Sequence, residues 1–148
     1  MNFSPVLLFA LALVICLSAC RKEETAGKSY EERTASGGKL YMAHCAACHQ
    51  ANGQGLAGAF PPLTGSSYLA EGAGPAISVV LNGLSGPIMV NGENYNAVMP
   101  GLSYLNDEEI AKILTFVMNS WGNPGGEVSP AEVAATRGGG DLGELPDP

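Results

Sequence analysis

Residues 44–55 read HCAACHQANGQG. The chain has four cysteines and two histidines, and two of the cysteines and both histidines fall within six consecutive positions, His44 to His49. A glycine-containing loop follows at once. Two thiols three positions apart, with an imidazole directly behind the second, form a constellation that binds or attaches something. The rest of the sequence narrows what that is.

A length of 148 residues suits one small domain with extensions. Charged residues make up 14%, below the roughly 25% of an average domain. There are 20 glycines and 10 prolines. A loop-rich domain of this size buries little core alone, so a large apolar cofactor inside it would make physical sense. The net charge is −7. Segment 21–34 balances four bases against four acids, 35–121 sets two bases against five acids, and 122–148 sets Arg137 against five. With no basic patch, nucleic acid is not an expected partner, nor is an anionic lipid surface held by charge.

The N-terminal run PVLLFALALVICLSAC, residues 5–20, is apolar and ends in small residues before Cys20. It reads as a secretory h-region too short to span a bilayer comfortably, although MNFSP before it carries no Lys or Arg. The ending LSAC resembles a bacterial lipobox, in which the cysteine becomes the lipidated N-terminus. The expectation is therefore a lipoprotein signal peptide over 1–19 and a lipidated Cys20, with a polar tether over 20–34. A plain signal peptide or an uncleaved anchor are the alternatives. Cys16 would leave with the signal, so only Cys45 and Cys48 would remain as thiols, with no disulfide framework.

The domain is expected over 35–121 and is mostly α. A short helix should carry Leu40, Tyr41 and His44 and end at the cysteines, with Gly37 and Gly38 near its start. Residues 50–74 read as loop. PAISVVLNG suggests a helix with Pro75 in its first turn and Gly83 past its end. Asn91-Gly92, inside GPIMVNGENYN, predicts a small β-hairpin. The firmest helix is 107–121. Asn106 and Glu109 form a capping box, acids fill the first turn, and Ile110, Ile113, Leu114, Val117, Met118 and Trp121 make one apolar stripe. The extension 122–148 is rich in Gly, Pro and acid, with a possible short helix after Ser129-Pro130.

Three chemistries compete for Cys45-Ala46-Ala47-Cys48-His49. A structural zinc needs four ligands, and no second Cys/His cluster follows. A thioredoxin-like thiol pair wants a strand before the motif. The third reading is covalent haem, since C-x-x-C-H is its attachment signature: two thiols add to the two vinyl groups and the next imidazole turns to the iron. For the opposite iron position His44 is unsuited, because it adjoins Cys45 on the same side of the ring. Met118 belongs to the apolar stripe. Met89 sits in the hairpin and stays a minor alternative. Met99, in the Pro-stiffened loop NAVMPGLS, is the preferred ligand.

With these residues in view, the chain resembles a class I cytochrome c with one haem c. GGKLYMAHCAACH, FPPL, MPG and the last amphipathic helix carry the likeness across 35–121. The resemblance implies a small cytochrome c fold, with helices wrapped around one covalent haem. It implies that Gly37 and Tyr41 pack the first helix on the last, and Tyr41 is counted with the cofactor site. It also implies that a proline carbonyl, preferably that of Pro61 over Pro62, accepts the Nδ1 proton of His49. The stretch from Gly86 to Asn123, with VSPAEVAATR after it, is similar to a narrower group of cytochrome domains serving copper nitrite reductases or membrane dehydrogenases. The acidic surface departs from the basic ring of the mitochondrial protein.

His49 and Met99 together would close the iron to substrate. The expectation is then one-electron transfer between exported redox proteins, without catalysis or a small-molecule substrate, by a protein lipid-anchored on the periplasmic side of a bacterial membrane. A fixed electron-input subunit of an oxidase, reductase or dehydrogenase is the alternative. A five-coordinate haem sensor or enzyme is the third reading.

Overall fold

A computed structural model describes residues 30–139. The proposed signal peptide, Cys20, most of the tether and the last nine residues lie outside the described residues. The chain divides into two units, 1–32 and 33–148. Of the first, only 30–32 are described, and they are helical. The second is built mainly of helices, as expected.

Helix α1 occupies 33–44 of this second unit. It is already formed before Gly37, so Arg33 and Thr34, placed in the tether by their polarity, are helical. Arg33 pairs with Glu127 at 3.1 Å. The helical path does not stop at the cysteines. One turn residue, Cys45, leads into α2, Ala46–His49, whose first bond is His49 N–H to Cys45 O at 2.9 Å. Gln50, at φ +63°, ends it.

A long loop and a 3-10 turn, Leu69–Glu71, lead to α3, Ala73–Asn82. Then come β1 (Gly83–Leu84), β2 (Ile88–Val90), β3 (Glu93–Tyr95) and β4 (Met99–Pro100). Strands β2 and β3 form the expected hairpin, with Val90 opposite Glu93. Asn91 and Gly92 both take positive φ, as the tight turn demands. Asn91 also exchanges two hydrogen bonds with Ser67, at 2.8 and 2.9 Å, tying the hairpin to the chain before the 3-10 turn. The segment read as a loop around Met99 is instead a strand. β4 pairs antiparallel with β1, with Leu84 opposite Met99 and Gly83 opposite Pro100.

Helix α4, Asp107–Met118, carries the full capping box: Glu109 N–H donates to Asn106 Oδ1 at 3.0 Å and Asn106 N–H to Glu109 Oε2 at 2.9 Å. It ends three residues earlier than the apolar stripe suggested. Asn119 stops it, donating to Thr115 O at 2.7 Å and Gly126 O at 2.6 Å. Trp121, at φ +53°, lies beyond the helix but still packs on Tyr41 and Phe116. Helix α5, Pro130–Arg137, follows Ser129, which with Glu132 forms a second capping box.

Ile110, Ile113, Leu114, Val117 and Met118 of α4 are all buried, together with Ile77 and Leu81 of α3 and Val128 and Val133 around α5. Each such side chain contributes about 1.5–3 kcal/mol. Thr115 sits in the same core, and its hydroxyl exchanges hydrogen bonds with the backbone of Val128, so its polarity is satisfied. At the α1–α4 crossing, a Cβ on Gly37 would run into the Lys112 carbonyl and Phe116 Cβ. One on Gly38 would meet only the edge of the Phe116 ring, at 3.2 Å. The close approach therefore belongs to Gly37.

Candidate functional site

Between these elements lies an open cleft, about 1020 Å³ of space with the solvent at its mouth included. Cys45, Cys48 and His49 line it from the α1–α2 region, Pro61 from the loop, and Met99 from β4. Apolar side chains of α3, α4 and the hairpin complete the wall, and among the described residues no charged side chain lines it. His49 and Met99, far apart in sequence, thus meet at one apolar space.

The imidazole of His49 is 8% exposed. Its Nδ1 lies 2.9 Å from the carbonyl oxygen of Pro61. A carbonyl only accepts, so Nδ1 carries the proton and Nε2 is left with its lone pair. Burial holds the imidazole pKa below its ordinary value, partly opposed by that hydrogen bond. The ring is therefore neutral and oriented, the form in which histidine ligates a metal. Gly55 makes this contact possible. It sits at φ +65°, its N–H donates to His49 O, and any Cβ there would strike the carbonyls of Phe60 and Pro61.

Burial first, and then the neighbouring Cys48, pushes the Cys45 thiol up to about 11. Helix α1, not a strand, precedes the pair. Among the described residues no three His, Cys, Asp or Glu side chains gather closely enough to hold a metal ion, which leaves the zinc reading short of donors. What the cleft does fit is a large, flat, apolar group joined to two thiols on one wall, with an imidazole and a thioether for a metal at its centre.

Tyr41, counted with the cofactor site, does not line the cleft. It is fully buried behind it, packed on Phe116 and Trp121 with centroids at 5.6 and 5.2 Å. Its hydroxyl donates to Gln50 O at 2.6 Å, fixing the residue after His49. Burial and the nearby Cys45 push its pKa to about 12, so it remains a donor. Its effect on the site is positional. His44 faces Tyr104, with Nδ1 3.4 Å from the phenol oxygen, and does not line the cleft. Met118 is buried in the core, and Met89 is 56% exposed; neither lines the cleft.

The sequence profile of the cytochrome c family matches residues 34–121. The chain is 50% identical over 93 residues to cytochrome c-552 of Thermus thermophilus, a match that covers 60% of this chain and 70% of that protein. A second cytochrome c-552 from the same species matches at the same identity, and there the match covers 62% of that protein. The chain is also 30% identical over 106 residues to the cytochrome c subunit of a quinone alcohol dehydrogenase from Gluconobacter oxydans; that match covers 69% of this chain but 22% of the subunit.

Proposed function

We propose that this chain, which belongs to the cytochrome c family, carries single electrons between exported redox proteins through a haem c attached at Cys45 and Cys48, with its iron between His49 and Met99. One observation carries the reading. A single uncharged cleft collects both thiols, an imidazole whose Nδ1 is already committed to Pro61, and the thioether of a strand-held methionine. When bound, the haem supplies a one-electron iron couple. The residues around it do the rest. His49 presents a neutral, fixed lone pair. Met99 would offer its thioether to the iron, a ligand that favours the reduced state and raises the potential. The apolar wall excludes water. With both iron positions held by protein, no substrate coordinates, and the chain acts as a carrier, not an enzyme.

Docking is assigned to the mouth of the cleft. Val98, 71% exposed, and the exposed Pro100 line the cleft, and the exposed Ala47 lies in sequence between its two lining cysteines. A small apolar contact of this kind suits a short-lived redox encounter. Placing a carboxylate there should slow transfer. In Ala47→Glu, the rate at which membranes of the producing organism oxidise the reduced protein is expected to fall severalfold. A rate unchanged at every salt concentration would remove the docking assignment.

Among the described residues no helix is long and apolar enough to cross a membrane. Membrane attachment is assigned to the lipidated Cys20 on the periplasmic side, on the strength of LSAC and the apolar run before it. Cys20→Ser is expected to move the protein from the membrane to the soluble fraction; an unmoved protein would point to an uncleaved anchor. The likeness to a dehydrogenase cytochrome subunit supports a second reading, a fixed electron-input subunit. Co-purification of a dehydrogenase from detergent-solubilised membranes would favour it.

A further inference from the structure

Helix α5 lies beyond the residues matched by the family profile, and it ends in the only arginine after Arg33. That guanidinium makes three hydrogen bonds to one short segment. Nη1 donates to Ser103 O at 2.8 Å, Nη2 to Leu105 O at 2.7 Å, and Nε to Asp107 Oδ1 at 2.8 Å. The segment runs from Met99-Pro100 to the first residue of α4. Its upstream end is already fixed: β4 pairs with β1, and Leu102 N–H donates to Val80 O at 2.7 Å. Arg137 fixes the downstream end.

The arginine has a firm base. Val128 and Val133 are buried to 1% and 0% exposure, and the Thr115 hydroxyl binds the Val128 backbone in both directions. Arg137 and Asp107 are each one-third exposed, so their ion pair alone is worth little. The fork onto two backbone carbonyls is different in kind. It specifies geometry, which a lysine could not reproduce.

We propose that α5 and Arg137 form a latch that holds the Met99 segment closed over the cofactor cleft, so that the C-terminal extension sets how firmly Met99 stays on the iron. Arg137 is a positioning residue here, and the inference rests on the assignment of Met99 as iron ligand. Cutting the fork lets the segment swing out more often, and each opening exposes the iron position to a competing ligand.

The test is titration of the oxidised, haem-loaded protein with imidazole, followed by loss of the weak far-red band of methionine-bound ferric haem. Guanidinium unfolding midpoints are measured alongside. Arg137→Ala is expected to bind imidazole on the order of tenfold more tightly than wild type. Arg137→Lys, which keeps the charge and loses the fork, should lie between and carries the test if the alanine variant does not load haem. Ile77→Val, which trims the core away from the cleft, should lower the unfolding midpoint while imidazole binding stays within about twofold of wild type. Imidazole binding unchanged in both Arg137 variants overturns the latch. So does binding that tracks the unfolding midpoint equally in the Arg137 and Ile77 variants. A wild-type protein with no far-red band overturns the Met99 assignment itself, and the latch with it.

Discussion

Met99→Ala is expected to turn a haem-loaded protein that ignores carbon monoxide into one that binds it promptly when reduced. The far-red band of the oxidised form should vanish. The potential should fall by a tenth or more of the roughly 0.8 V that axial-ligand choices span. The fold should survive, because β4 is held to β1 through backbone pairing that needs no side chain at Met99. Met99 is also only partly buried at the edge of the core, so truncation costs less than the roughly 2–5 kcal/mol of a fully buried methionine. The other methionines are controls. Met118→Ala should cost that larger amount of stability, since Met118 is 4% exposed in the core, yet leave the band in place. Met89→Ala, on an exposed side chain, should change neither. Spectra and potentials of the three variants check this. A far-red band that persists without Met99 would mean that another group holds the iron.

The second large effect concerns a residue outside the cleft. Gly37→Val is expected to destabilise the protein by about 3 kcal/mol or more, at the upper end of overpacking costs. That is a large share of the roughly 5–15 kcal/mol that holds a typical domain together. The clash falls on the Lys112 carbonyl and on Phe116 Cβ, which are backbone and side-chain root. Neither can rotate away, so α1 must lift from α4. That movement would carry the start of the cysteine motif with it, because Cys45 N–H bonds to Tyr41 O and Tyr41 is wedged between Phe116 and Trp121. Gly38→Ala should stay within about 1 kcal/mol of wild type, because alanine's helix propensity offsets a small tilt of the Phe116 ring. Guanidinium unfolding of the two variants checks the contrast. Equal stability would show that the helices do not need the close approach.

The elements legible in the sequence were those with local signals. The capping box at Asn106 and Glu109, the Asn91-Gly92 turn and the Ser129-Pro130 start each specify their geometry within four residues. The paired thiols and His49 were legible for the same reason. What escaped was non-local. The strand at Met99 exists only because Gly83 and Leu84, some 16 residues earlier, pair with it, and two-residue strands have no periodicity to read. The apolar stripe overran the true end of α4 because Trp121 packs on the same aromatic cluster from outside the helix. The packing of Tyr41 at the α1–α4 seam, implied by the resemblance, is present in its contacts with Phe116 and Trp121. Gly55 looked like one more loop glycine, and its value lies in letting the Pro61 carbonyl reach His49. Arg137 looked like a lone base in an acidic tail; its three acceptors lie 30–34 residues away in sequence.

The central claim is a haem whose two axial positions are both filled by this chain. Its most direct test is an absorption spectrum of the protein exported together with a haem-attachment system, recorded oxidised, reduced, and reduced under carbon monoxide. The account predicts a covalently bound, low-spin haem with the far-red methionine band when oxidised and no response to carbon monoxide when reduced. A high-spin spectrum that carbon monoxide shifts, or a protein with no attached haem, would contradict it.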